Sequence, residues 1–180
     1  MINLKKMIFL EGLPGVGKTT ILNAIKAMNF ENIFLVNEVI NENILNNISC
    51  TELDFIINDE LKLNAYDEGI IIIDRGPIST LSYSQTKKII DNNYNLSNVL
   101  DFFQKNQQYL LDNSKVIYLT NKGTNYSITV NDKNSPYGTV ENQRLLEEIS
   151  IFNCKKYCKN FVIKEYYKEN MEEIINEIIN

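Results

Sequence analysis

The chain has 180 residues, 44% of them hydrophobic and 23% charged, with a net charge of −5 and no histidine. That length and apolar content suit one domain with a sizeable core, and an acidic balance without a basic stripe disfavours a polynucleotide partner. The missing histidine excludes Ser-His-Asp triads, histidine general bases and histidine-ligated zinc, so proton transfer falls to carboxylates, Lys, Tyr or water.

The first predicted strand covers Lys6 to Leu10 and runs into Gly12-Leu13-Pro14-Gly15-Val16-Gly17-Lys18-Thr19-Thr20. From Gly12 to Thr19 this matches G-x-x-x-x-G-K-[ST], a phosphate-binding P-loop, in the expected setting of a strand before and a helix after. The glycines let backbone N–H groups approach phosphate oxygens closely, and the helix N-terminus adds its positive dipole end. Lys18 reaches the β/γ oxygens as a point charge, and the Thr19 hydroxyl is of the type that ligates Mg²⁺.

The helix opening near Lys18 extends to Met28, with Ile21, Leu22 and Ile25 facing inward. Asn32 to Val36 reads as a buried strand, which places Glu38 just beyond a strand's carboxyl end, where open α/β sheets bind ligands. Residues 41–49 are polar and irregular. Thr51 then caps a helix to about Asp67, with Leu53, Ile56, Ile57 and Leu61 as its expected core face and Gly69 as its stop. Ile70 to Ile73 is β-branched throughout, as a central parallel strand covered on both faces would be. It ends in Asp74-Arg75-Gly76-Pro77, and an acid closing such a strand beside a P-loop supports Mg²⁺.

Helices are expected over Ser79–Ile90 and Leu96–Leu111. Of their aromatics Tyr83, Phe102, Phe103 and Tyr109, at most one is expected to touch a ligand. Val116–Leu119 is the fourth strand. Thr120 to Gly138 is polar and long enough to read as a lid. Thr139–Tyr157 reads as a helix, Phe161–Ile163 as a fifth strand, and Glu169–Ile179 as a closing helix. Cys154 and Cys158, i and i+4 on one helix, read as reduced core thiols, and no C-x-x-C involves Cys50. The N-terminal apolar run is too short for a signal peptide and no stretch is long enough to span a membrane, so the expectation is a reduced, cytoplasmic protein with no membrane partner. The alternation predicts a single α/β domain, a doubly wound five-stranded parallel sheet with helices on both faces and a lid over about 120–138.

An Asn121-Lys122-Gly123-Thr124 stretch lacks the Asp of a guanine-reading N-K-x-D, and Asp74-Arg75-Gly76 makes no D-x-x-G, which argues against a GTPase. Glu11-Gly12 opening the P-loop, Glu38 after the second strand and Asp74-Arg75 after the third together resemble the thymidylate kinase and deoxynucleoside kinase families. The resemblance runs through nearly the whole order of elements. It implies ATP as donor, Mg²⁺ held with Thr19 and Asp74, and a small-molecule acceptor. It also implies that Glu38 takes the acceptor proton, Arg75 contacts the acceptor or the transferred group, and Arg144 stabilises charge beside the lid. The chain has only two arginines, Arg75 and Arg144, and none in the lid, which tilts toward an uncharged hydroxyl acceptor such as a nucleoside rather than a nucleoside monophosphate. A nucleotide-binding regulator with little transfer activity and a kinase for a non-nucleoside acceptor are the alternatives. The acceptor, the donor base and the oligomeric state, including a homodimer, stay open.

Overall fold

The structure, a computed structural model, describes residues 5–46, 50–121 and 137–180, with side chains throughout except at 107–111. Residues 122–136, nearly all of the expected lid, lie outside the described residues, as does the side chain of Tyr109. In chain order the elements are β1 (Lys6–Gly12), α1 (Lys18–Met28), β2 (Ile33–Val36), α2 (Glu42–Leu45), α3 (Glu52–Leu63), β3 (Ile70–Asp74), α4 (Pro77–Ile90), α5 (Ser97–Asn113), β4 (Ser114–Thr120), α6 (Val140–Tyr157), β5 (Asn160–Glu165), a 3-10 turn over Lys168–Asn170 and α7 (Met171–Ile179).

The five strands are all parallel and ordered β2-β3-β1-β4-β5. Strand alternation then decides what each face contributes. Met7, Phe9, Ile71, Ile73, Val116 and Tyr118 point to the side covered by α3, α4, α5 and α6. Ile8, Leu10, Ile72, Ile117 and Leu119 point to the side covered by α1 and α7. With both faces buried, the central strands cannot alternate apolar and polar residues, which is why they read as continuous apolar runs. Ile21, Leu22 and Ile25 of α1 and Ile174, Ile175 and Ile178 of α7 are buried, as their spacing predicts. The thiols of Cys154 and Cys158 are free and buried in the layer above β4.

Helix α3 departs from expectation. Ile56 is buried, but Leu53, Ile57 and Leu61 are exposed, by 56%, 37% and 46%. The inward face carries Asn58, Asp59 and Lys62 instead, each no more than 3% exposed. Helical spacing identifies residues that share a face. It cannot tell which face turns inward when the inner one borders a polar cleft, and here the polar face does. The helix is also shorter than expected, ending at Leu63, while α4 starts two residues earlier than expected because Pro77 suits the first helical position.

Candidate active site

The P-loop leaves the end of β1 and enters α1 at Gly17, whose φ of 101° lies in the left-handed region. A Cβ on Gly17 would stand 2.3 Å from Cε1 of Tyr166, and one on Gly12 (φ 136°) would stand 2.5 Å from the Leu119 carbonyl oxygen. Both positions therefore need glycine for space as well as backbone. Pro14 and Gly15 are exposed at the loop tip, Val16 anchors it in the core, and Thr19 and Thr20 are exposed on the first turn of α1. Lys18 is buried and donates to the carbonyls of Gly12 and Leu13, both at 2.9 Å. Burial, reinforced by the positive charge of Arg75, lowers the Lys18 ammonium to about 8.

Beside this loop, β3 ends in Asp74 and turns at Arg75. Asp74 is 7% exposed, and its Oδ1 is buried with no hydrogen-bond partner. Burial raises its carboxyl pKa, against the attraction of Lys18. Arg75 adopts φ 55°, rare for a residue with a Cβ, and its amide donates to the Leu10 carbonyl at 3.0 Å. Its Nη1 makes an ion pair with Oε1 of Glu38, its guanidinium lies 5.5 Å from the Tyr83 ring centroid, and its Nε is buried without a partner. Lys18, Glu38, Asp74 and Arg75 are thus brought within electrostatic reach of one another. Arg144 is exposed on α6 and is not among the residues that line the cavity described below, and the lid beside which it was expected lies outside the described residues.

Several residues at this site are unmarked by motif spacing. Glu11, placed by β1, is 1% exposed; its Oε1 accepts from the Gly76 amide at 2.9 Å and its Oε2 from the Ser79 hydroxyl. Burial pushes its carboxyl up to about 7, against those two hydrogen bonds and the nearby Arg75. Lys62 donates to the carbonyls of Asp74 and Arg75, each at 3.2 Å, and lies 3.7 Å from Asp59. Asp59, whose carboxyl is also raised by burial, accepts from the Thr80 hydroxyl. The available signal was polar residues at helical spacing on α3 (Asn58, Asp59, Lys62), which on an ordinary surface helix mark the solvated face.

Asp59 and Lys62, with Glu38 and Arg75, border a cavity of about 460 Å³ between α3 and α4, within the usual size range for small-ligand sites. Phe55, Tyr83, Tyr94 and Tyr137 supply aromatic walls. Tyr137 meets Tyr83 edge-on at 4.8 Å and donates its hydroxyl to the Tyr83 carbonyl at 2.7 Å. Of the four helical aromatics named from sequence, Tyr83 lines this cavity while Phe102 and Phe103 are buried in the core. The Asn58 amide, although at the cavity wall, is engaged by structure: its Oδ1 accepts from the amides of Ile40 and Asn41, and its Nδ2 donates to the Glu38 carbonyl. The cavity lining carries three cations, Lys62, Arg75 and Lys87, against three carboxylates, Glu38, Glu52 and Asp59.

The fold is similar to that of solved thymidylate and deoxyadenosine kinases. No protein-family model and no curated protein matches the sequence, but solved structures do. Thymidylate kinase from Candida albicans superposes with a TM-score of 0.64 at 16% identity, covering 96% of this chain and 88% of that one. Thymidylate kinase from Ehrlichia chaffeensis gives 0.61 at 16% identity, covering 96% and 97%. Deoxyadenosine kinase from M. mycoides, solved with bound dATP, gives 0.62 at 17% identity, covering 97% and 100%. At these identities the likeness is one of fold. Among the described residues, no helix is long and apolar enough to cross a membrane.

Proposed function

We propose that the chain is an ATP- and Mg²⁺-dependent kinase that transfers a γ-phosphoryl group to the hydroxyl of an uncharged acceptor of nucleoside size. The observation that carries this reading is the Glu38–Arg75 pair, which lines a cavity with aromatic walls and balanced charge and lies within electrostatic reach of Lys18 and Asp74. A nucleoside monophosphate would bring a phosphate that needs spare cations. Here Arg75 is engaged by Glu38, Lys62 by Asp59 and two carbonyls, and Lys87 lies over the Tyr94 ring at 4.4 Å.

The donor's β and γ oxygens would meet the amides of Gly15 to Thr19 and the Lys18 ammonium. The residues present fit a magnesium ion. Asp74 Oδ1 is a buried carboxylate oxygen without a partner, and Thr19 offers a hydroxyl on the first turn of α1. The ion would supply charge neutralisation on the phosphates. Glu38 accepts the proton of the acceptor hydroxyl as that oxygen bonds to the γ-phosphorus and the bond to the ADP oxygen breaks. Arg75, held by Glu38 through Nη1, keeps its Nε for the transferring group or the acceptor oxygen. Most of the rate then comes from positioning and fixed charge.

The test is ADP formation from ATP across a panel of nucleosides, thymidine monophosphate and non-nucleoside alcohols. Acceptor-stimulated ADP with nucleosides supports the reading, and ATP binding without stimulation by any acceptor overturns it. In Glu38→Gln, turnover should fall by about a hundredfold or more while ATP affinity changes little; equal turnover would remove Glu38 as the base.

A further inference from the structure

The corner Asp74-Arg75-Gly76 presents two groups of the proposed site, and it does so through a left-handed Arg75 that a Cβ disfavours. Two buried ionisable side chains hold that corner. Glu11 takes the Gly76 amide and the Ser79 hydroxyl. Lys62 takes the carbonyls of Asp74 and Arg75 and is backed by Asp59, itself fixed by Thr80. Two of the three ammonium donors go to these carbonyls at 3.2 Å, and Asp59 pairs with the charge at 3.7 Å. Lys62 also borders the cavity, so a role in binding an acceptor is the alternative that the kinetics must separate.

A buried Lys–Asp pair is a poor source of stability, since apolar residues of similar volume often serve as well or better. What an apolar residue could not do is hold two consecutive carbonyls and so set the direction in which Arg75 leaves the chain. We propose that Lys62, backed by Asp59, is a positioning residue that holds the Asp74–Arg75 corner so that Arg75 meets Glu38 and the reacting oxygen. This rests on the kinase reading above. Losing the brace should then act on the chemical step and leave acceptor binding nearly intact.

The experiment compares the full chain with Lys62→Met, which strands the Asp59 charge, and with the double variant Lys62→Met/Asp59→Asn. The double variant removes both charges and leaves Asn able to accept from Thr80. Thermal unfolding, amide hydrogen exchange at Arg75 and Gly76, and kinetics with a nucleoside acceptor are measured. The double variant is expected to regain wild-type thermal stability, to exchange those amides about tenfold faster, and to lose about a hundredfold in kcat with acceptor KM within about threefold. Wild-type kcat or wild-type exchange in the double variant overturns the proposal. So does a loss confined to KM, which would make Lys62 an acceptor ligand. Failure of both variants to fold also overturns it, in favour of a structural role. If the wild type forms no acceptor-stimulated ADP, the kinase reading falls by itself, and the exchange rates still decide whether Lys62 braces the corner.

Discussion

Glu11 offers a direct test of the buried electrostatics. It lies between β1 and the start of α4, 1% exposed, and burial raises its carboxyl from the ordinary 4.5 to about 7. In the folded chain it therefore holds a proton that the unfolded chain has already released across that pH window. Native binding of the extra proton means that this group's contribution to stability falls as pH rises from about 4.5 to about 7, and stays low above that. At about 1.4 kcal/mol for each tenfold change in acidity, the rise from 4.5 to about 7 corresponds to a cost of about 3 kcal/mol at pH 8. Glu11→Gln has no charge to desolvate. Its amide oxygen can accept from the Gly76 amide, and its NH₂ can meet the Ser79 oxygen. Urea unfolding of both proteins at pH 4.5 and pH 8 should show near-equal stability at the lower pH and the variant ahead by up to about 3 kcal/mol at the higher. A difference that does not change between the two pH values would refute the reasoning, because it would mean that Glu11 titrates alike in the folded and unfolded chains.

Three further outcomes follow from the same geometry. Lys18→Ala should abolish transfer while keeping the fold. Since burial lowers Lys18 to about 8, the charged ammonium costs stability below that pH, and the variant's advantage in urea should shrink between about 8 and 10.5. Gly17→Ala places a Cβ 2.3 Å from the Tyr166 ring at φ 101°, so ATP affinity by calorimetry should fall at least about tenfold, and Tyr166→Ala in the same chain should restore only part of it. On α3, Ile56→Ala should cost about 2–4 kcal/mol in urea and Ile57→Lys less than about 0.5, because the first side chain is in the core and the second is exposed. Equal costs would return α3 to the orientation expected from its spacing.

What was legible in the sequence was local. A P-loop is one contiguous run, and each of its residues is needed for a reason stated within that run: glycine for close approach, Lys18 for charge, the following helix for its dipole. The β-branched run before Asp74 and the spacing of Ile21, Leu22 and Ile25 were legible for the same reason, since period and length are written along the chain. Arg144 carried only an expected role beside the lid, which lies outside the described residues; it is exposed on α6. Leu53, Ile57 and Leu61 had the spacing of a core face, yet α3 turns its polar side inward because that side closes a cleft.

By itself, then, the sequence determined the P-loop motif and the succession of strands and helices along the chain, because backbone geometry and apolar period depend on neighbours a few residues apart. Only the tertiary structure decided how the cavity beside that loop is built. Glu38 meets Arg75 across 37 positions, Thr80 meets Asp59 across 21, and Ser79 meets Glu11 across 68. Whether such side chains end as surface charges or as buried partners depends on how α3 and α4 pack over the sheet. Burial in turn raises Glu11 and Asp59, lowers Lys18, and leaves the Asp74 and Arg75 atoms that face the proposed reaction without protein partners.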